Sequence, residues 1–162
     1  MRVAAGLLIL VICSAWGFRR SLLLKRRCTL LRELRLLVEQ YSIEISCTAP
    51  TLAELAGNSG GEFGRLLCEC SGLETDIRRA WSNAVDRLSA EPGCGGEEVS
   101  LLRELGRELG TCPAESQLAL LKLYSARFDK LISAAEKSAE QQGRMYRSGG
   151  VLAGLGAAVM LL

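Results

Sequence analysis

A chain of 162 residues has the length of one domain, enough to bury a core of its own. Its twenty basic and eighteen acidic side chains leave a net charge of +2, which argues against a nucleic-acid binder working through bulk electrostatics. Histidine is absent and cysteine occurs seven times, so the commonest general base is missing and an even-numbered disulfide framework is excluded.

The charge is unevenly placed. Among the basic residues only Arg2 lies outside positions 19–147, and every acidic residue lies inside them. Apolar, charged and apolar blocks follow one another. They are expected to be an N-terminal transmembrane helix at 1–18, a cytoplasmic helical bundle at 19–147 and a C-terminal transmembrane helix at 148–162. The first apolar run, "VAAGLLILVICSAWGF", has a basic start and small residues Ala15 and Gly17 at A-x-A spacing, the pattern of a cleaved signal peptide. Trp16 inside that cleavage site, with Arg19 and Arg20 close behind, favours an uncleaved anchor. Cleavage near Gly17 would instead give a secreted helical factor, the alternative reading. Cys13, preceded by the bulky Ile12, makes a poor lipobox.

Sixteen residues at about 1.5 Å each span roughly 24 Å, short of a hydrocarbon core of about 30 Å. Snorkelling arginines and slight bilayer thinning make up the difference. Both runs carry their cations on the side of the middle block: Arg19, Arg20, Lys25, Arg26 and Arg27 after the first, Arg144 and Arg147 before the last. The positive-inside bias then places the block in the cytoplasm and both termini on the opposite side. These seven residues are candidate contacts for anionic headgroups, or alternatively for an acidic patch on a partner.

Within the block the expected structure is helical throughout. "RRCTLLRELRLLVEQYSIEISC" sets Leu30, Leu34, Leu37, Tyr41 and Ile45 on one stripe. A short helix follows in "TAPTLAELAG", with Thr48 as its cap, Pro50 in its first turn and Gly57 as its stop. "GNSGG" is a loop and "EFGRLLCECSG" another short helix. From Leu73 to Leu88 the stripe is Leu73, Ile77, Ala80 or Trp81, Ala84 and Leu88, and "AEPGCGG" then breaks the chain. "EEVSLLRELGRELG" resumes with Val99, Leu102, Leu105 and Leu109 on one face. A last long helix starts at Pro113 and carries Leu121, Tyr124, Phe128, Leu131, Ala135, Ser138, Gln142 and Met145 at heptad spacing. Its seam fades from bulky to small and polar, and its expected partner is the long first helix, antiparallel to it. In the final apolar run Gly150, Gly154 and Ala158 fall four apart, a stripe that lets membrane helices approach closely.

Chemistry-bearing patterns are missing. No phosphate loop, G-x-S-x-G elbow or C-x-x-C occurs, and "CEC" at 68–70 is the only close cysteine pair. Free cysteines suit a reducing compartment, and here they read as small apolar residues in helices. Glu33, Glu39 and Glu44 read as helix-surface carboxylates paired with nearby arginines. Neither enzyme activity nor a cofactor or metal is expected.

The combination of "LLRELRLLVEQYSIEISCTAPTLAELA", the central "AW" at 80–81, "LLRELGRELGTCPAESQLALL" and the glycine-rich last run resembles the stage III sporulation protein AB family over nearly the whole chain. The most specific part is the "LL-x-x-LG-x-x-LG" run at 101–110 with Gln117 downstream; a "T-x-P-L-x-E"-like turn is displaced to "TAPTLAEL". The resemblance implies an all-α bundle of about six helices, similar to the cytoplasmic domain of the type II secretion and type IV pilus platform protein. It further implies a non-enzymatic scaffold in the secretion-like channel complex joining mother cell and forespore, a complex required for late forespore gene expression. The chain would sit in the mother-cell membrane around the forespore. Its partners would be membrane lipids and the other complex subunits, including a cytosolic secretion-type ATPase, with no nucleic acid. Platform proteins usually carry two such domains and this chain has room for one, so a homo-oligomer is compatible with it, as is a platform role in another secretion or pilus system.

Overall fold

A computed structural model describes the backbone of residues 2–48, 51–74, 76–111 and 113–161, and side chains between 15 and 145, less 48–50, 52, 75, 112, 114, 143 and 144. Among the described residues there are six helices and no strand: α1 (Arg2–Thr48), α2 (Leu52–Gly57), α3 (Gly61–Ser71), α4 (Ile77–Ala90), α5 (Gly96–Glu108) and α6 (Ala114–Leu161). The all-α expectation holds. The chain divides into two compact units, Thr29–Ser133 and Met1–Cys28 with Ala134–Leu162. Among the described residues no helix is long and apolar enough to cross a membrane. The side chains of residues 2–14 and 146–161, which make up most of the two expected anchors, lie outside those described.

Local chemistry explains the helix limits of the Thr29–Ser133 unit. Thr51, not Thr48, caps α2. Its side chain accepts from the Glu54 amide while the Glu54 carboxylate accepts from the Thr51 amide, a reciprocal box needing T-x-x-E spacing. These same bonds hold the Glu54 carboxyl below its usual range, the backbone bond contributing most. Asp76 caps α4 by accepting from the Arg78 amide at 3.0 Å. That cap starts the helix at Ile77 and leaves Leu73, expected on the buried stripe, in the turn and 77% exposed. α5 begins with Glu97 and Glu98 in its first turn, where the helix dipole favours acids. Just past its end Gly110 takes φ +77°, a conformation glycine adopts without a Cβ penalty.

α3 starts on Gly60, which has no side chain to cap it. Glu33 of α1 supplies the missing acceptor, taking the Glu62 amide at 3.0 Å. Replacing Glu33 by alanine should therefore cost about 1 kcal/mol, the usual worth of a helix N-cap. Thermal unfolding of the full chain in detergent, compared with a Glu39→Ala control, would show it.

α1 and α6 run antiparallel within this unit. Arg35 pairs with Asp129 at 2.9 Å, and further along α1 Val38, Ser42 and Ser46 face a groove shared with Leu118, Leu121 and Ser125 of α6. The expected α1 stripe is buried in full, and so are Leu31 and Val38 beside it, because α1 also meets α2 and α3 through the Gln40–Asn58 and Glu33–Glu62 bonds. Ion pairs link successive helices: Glu69–Arg87 from α3 to α4, Asp86–Arg103 from α4 to α5, Glu104–Arg127 from α5 to α6 and Asp129–Arg35 from α6 to α1. All are solvent-accessible and worth at most about 1 kcal/mol each. Their order reports the packing; the core provides the stability.

That core centres on Trp81. Phe63 meets its ring edge-on with centroids 5.0 Å apart, and Tyr41 lies at 6.4 Å. The indole N–H donates to the Leu102 carbonyl at 2.9 Å in a buried setting. Gly106, one turn further along α5, permits this approach. A Cβ there would lie 2.2 Å from the Trp81 ring. Leu102, Leu105 and Leu109 are fully buried on the same face, each worth about 2 kcal/mol of apolar burial.

In the unit of Met1–Cys28 with Ala134–Leu162 the described buried side chains are small. Gly17, Ser21 and Cys28 form the buried face of α1, while on α6 Ala135 is buried and Ser138 and Ala139 are half-buried. Leu23 and Leu24 of α1 are half-buried among them, so small residues dominate this unit's buried positions without excluding larger ones. The fading heptad of α6 and the small buried residues of α1 belong to the same compact unit. Gln142 and Met145, expected to continue the seam, are exposed.

Candidate functional site

The chain carries three kinds of candidate surface: the cysteines, the grooves of the bundle and the basic end of the first apolar run. Cys28 and Cys70 are buried, Cys47 and Cys68 exposed and Cys94 half-buried, all as free thiols. Among the described residues no group of histidine, cysteine or acidic side chains is arranged to hold a metal. Cys13 and Cys112 lie outside the described side chains. Of the three carboxylates read as helix-surface ion pairs, Glu39 pairs with Arg35 at 2.9 Å. Glu33 caps α3 instead, and Glu44 accepts from Gln40 at 2.8 Å.

Two grooves open between helices of the Thr29–Ser133 unit. One, of about 500 Å³, lies between α5 and α6 over Leu101 and Leu131, with Glu97, Glu104, Arg127 and Lys130 at its rim. The other, of about 390 Å³, lies between α1 and α6, where Ile43 stands 59% exposed. Leu36, seven residues before Ile43 and on the same face of α1, is equally exposed. Apolar floors rimmed by charge suit the docking of protein segments. Also on α6, Tyr124 is buried and donates to Glu108 at 3.2 Å. Burial, with Glu108 and Glu104 nearby, pushes its phenol above the ordinary range.

The basic end of the apolar run has a defined geometry. Trp16, Phe18, Arg19, Arg20 and Leu22 are exposed, while Gly17 and Ser21 are buried. The Arg20 guanidinium lies over the Trp16 ring, 5.6 Å from its centroid, within cation–π range. Of the other candidate cations, Lys25 and Arg26 are exposed and Arg27 half-buried, and all three already engage other groups of the protein. Arg144 and Arg147, and the Gly150, Gly154 and Ala158 stripe, lie on α6 but outside the residues whose surroundings are described. The structure therefore separates Arg19 and Arg20 from the rest of the basic cluster. Sequence reasoning did not single out Trp16 and Phe18 as candidate surface side chains. Their signal was two aromatics ending an apolar run immediately before arginines, the usual composition of a membrane interface.

Comparison with protein families matched residues 2–162 to the model described as stage III sporulation protein AB. Comparisons with curated proteins and with solved structures found no match.

Proposed function

The chain belongs to the stage III sporulation protein AB family, and from that premise we propose that it is a membrane-held scaffold in a complex required for endospore formation. Family membership implies a role in sporulation; the membrane, the complex and its partners are our reading. In that reading residues 3–18 and 148–162 are two anchors in the mother-cell membrane around the forespore, and the helical bundle stands on the cytoplasmic side. The bundle receives the complex's cytosolic secretion-type ATPase, and the anchors pack with other membrane subunits of the channel between the two cells. Its chemistry is binding rather than catalysis.

The exposed collar of Trp16, Phe18, Arg19 and Arg20 at the end of the apolar run is the observation that carries the reading. Exposed aromatics interleaved with arginines are unfavourable on a wholly aqueous surface and favourable where hydrocarbon meets headgroups. The two apolar-floored grooves add surfaces on which a partner can dock. The test is fractionation of sporulating cells followed by affinity purification in mild detergent. Carbonate washing should leave the protein in the membrane pellet, and the ATPase subunit should co-purify with it. Release by carbonate would overturn the anchors. Firm membrane retention without recovery of any complex member would overturn the scaffold role.

A further inference from the structure

We infer that Trp16, Phe18, Arg19 and Arg20 form a collar that selects anionic phospholipid from the leaflet facing the bundle, an inference that rests on the membrane-anchored reading. The arrangement around the helix is specific. Gly17, Ser21 and Cys28 mark one buried face of α1. At about 100° per residue, Arg19 points about 180° away from that face. Trp16 and Arg20 lie on one flank of it, Phe18 and Leu22 on the other, and all five are exposed. The outward surface is thus a central cation, Arg19, between an aromatic–cationic shoulder (Trp16 and Arg20) and an aromatic–aliphatic one (Phe18 and Leu22).

The axial spacing fits a headgroup layer. Arg19 and Arg20 lie about 4–6 Å along the helix beyond Trp16, close to the ~5–8 Å of headgroup region on each side of a bilayer. Aromatics at the hydrocarbon boundary therefore set the backbone of both arginines at headgroup level, with their guanidinium groups in reach of phosphate. The Trp16 ring beneath Arg20 further restrains one of them. A guanidinium presents a planar fork of donors to phosphate oxygens and makes paired, charge-assisted bonds. Charge decides the lipid class. The chain has no acidic residue before Glu33, so nothing nearby in sequence neutralises these two arginines. Zwitterionic lipids place an ammonium beside the phosphate, whereas phosphatidylglycerol-type lipids leave its charge uncompensated. An acidic protein surface would satisfy the arginines but would not explain exposed Trp16, Phe18 and Leu22 beside them.

Trp16 reports on its own neighbours, because the chain has two tryptophans and Trp81 is buried. The full chain is reconstituted in two vesicle sets of phosphatidylcholine and phosphatidylglycerol, equal in surface charge and bromine content. In one set the brominated acyl chains are on phosphatidylglycerol, in the other on phosphatidylcholine. Tryptophan emission should be quenched more strongly in the first set, reflecting an enrichment of about fivefold for each arginine near the surface. The R19Q/R20Q variant should make the two sets equal. Equal quenching of the unmodified protein would overturn lipid selection while leaving the anchor reading intact. Unequal quenching that persists in R19Q/R20Q would overturn the assignment to these arginines. An absence of quenching in both sets would overturn the anchor reading, and the collar with it.

Discussion

Replacing Gly106 by alanine is expected to destabilise the protein by about 1–3 kcal/mol, the usual cost of overpacking a core. Alanine is the better helix former by about 1 kcal/mol, so a helix surface would show the opposite sign. The difference lies in Trp81. A Cβ at 106 would stand 2.2 Å from its ring, and a ring that close has little room to yield. Its N–H is bound to the Leu102 carbonyl at 2.9 Å, and Phe63 packs edge-on against it with ring centroids 5.0 Å apart. A double-mutant cycle separates the effects. Trp81→Ala alone should cost about 3–5 kcal/mol through the cavity it leaves. In that background Gly106→Ala should turn neutral or stabilising, because helix propensity is then the remaining term. Unfolding of the full chain in detergent, followed by far-UV circular dichroism, reads all four species. A cost at position 106 that stays the same without the indole would show that the close approach is not its cause.

This contact explains part of a motif that the sequence displayed without its reason. In "LLRELGRELG" the leucines were legible as a buried face from their spacing alone, and Leu102, Leu105 and Leu109 are fully buried. The two glycines were not legible in the same way. Gly110 serves a positive φ just beyond the helix, whereas Gly106 serves an aromatic ring on another helix. Nothing local to α5 announces Trp81, whose bonded partner Leu102 is 21 residues away in sequence. The same limit applies to the ion pairs. Arg35–Glu39 and Arg65–Glu69 follow the i,i+4 rule, but Arg35–Asp129 required the fold.

Where the expectation failed, two local rules competed. Leu73 continued an apolar period, yet Asp76 offered a cap and the cap set the start of α4. Thr48 and Thr51 both precede the α2 segment, and the one three residues before Glu54 became its cap. The candidate membrane-facing residues were legible as a class from charge placement, but individual roles were not. Charge alone treats Arg19 and Arg27 alike; exposure and internal partners distinguish them. The fading seam of α6 had a similar resolution. Ala135 and Ser138 looked weak in isolation, yet Ala135 is buried and Ser138 half-buried in a unit whose buried α1 residues are also small.

Raising the pH above about 10 should unfold the protein earlier than its tyrosine count alone implies, and Tyr41 is the reason. Tyr41 is fully buried on α1 and hydrogen-bonded to Ser59. Burial, the largest influence, pushes its phenol up to about 12; the Ser59 bond opposes that shift and nearby Glu44 adds to it. The folded state therefore holds this proton more tightly than the unfolded chain, whose tyrosines titrate near 10. The associated stability is complete below about pH 10. It falls between about pH 10 and 12, where the unfolded state has lost the proton and the native state has kept it. Two pH units correspond to about 2–3 kcal/mol at most. Tyr124 shifts in the same direction, so its loss adds to that of Tyr41. Tyr41→Phe isolates one contribution. It should cost about 1 kcal/mol at neutral pH through the lost hydrogen bond, yet flatten the stability profile between about pH 10 and 12. The two proteins differ only at residue 41, so the difference between the two curves belongs to it. Parallel curves across that range would mean that the phenol ionises without unfolding the bundle, and that water reaches it in the folded state.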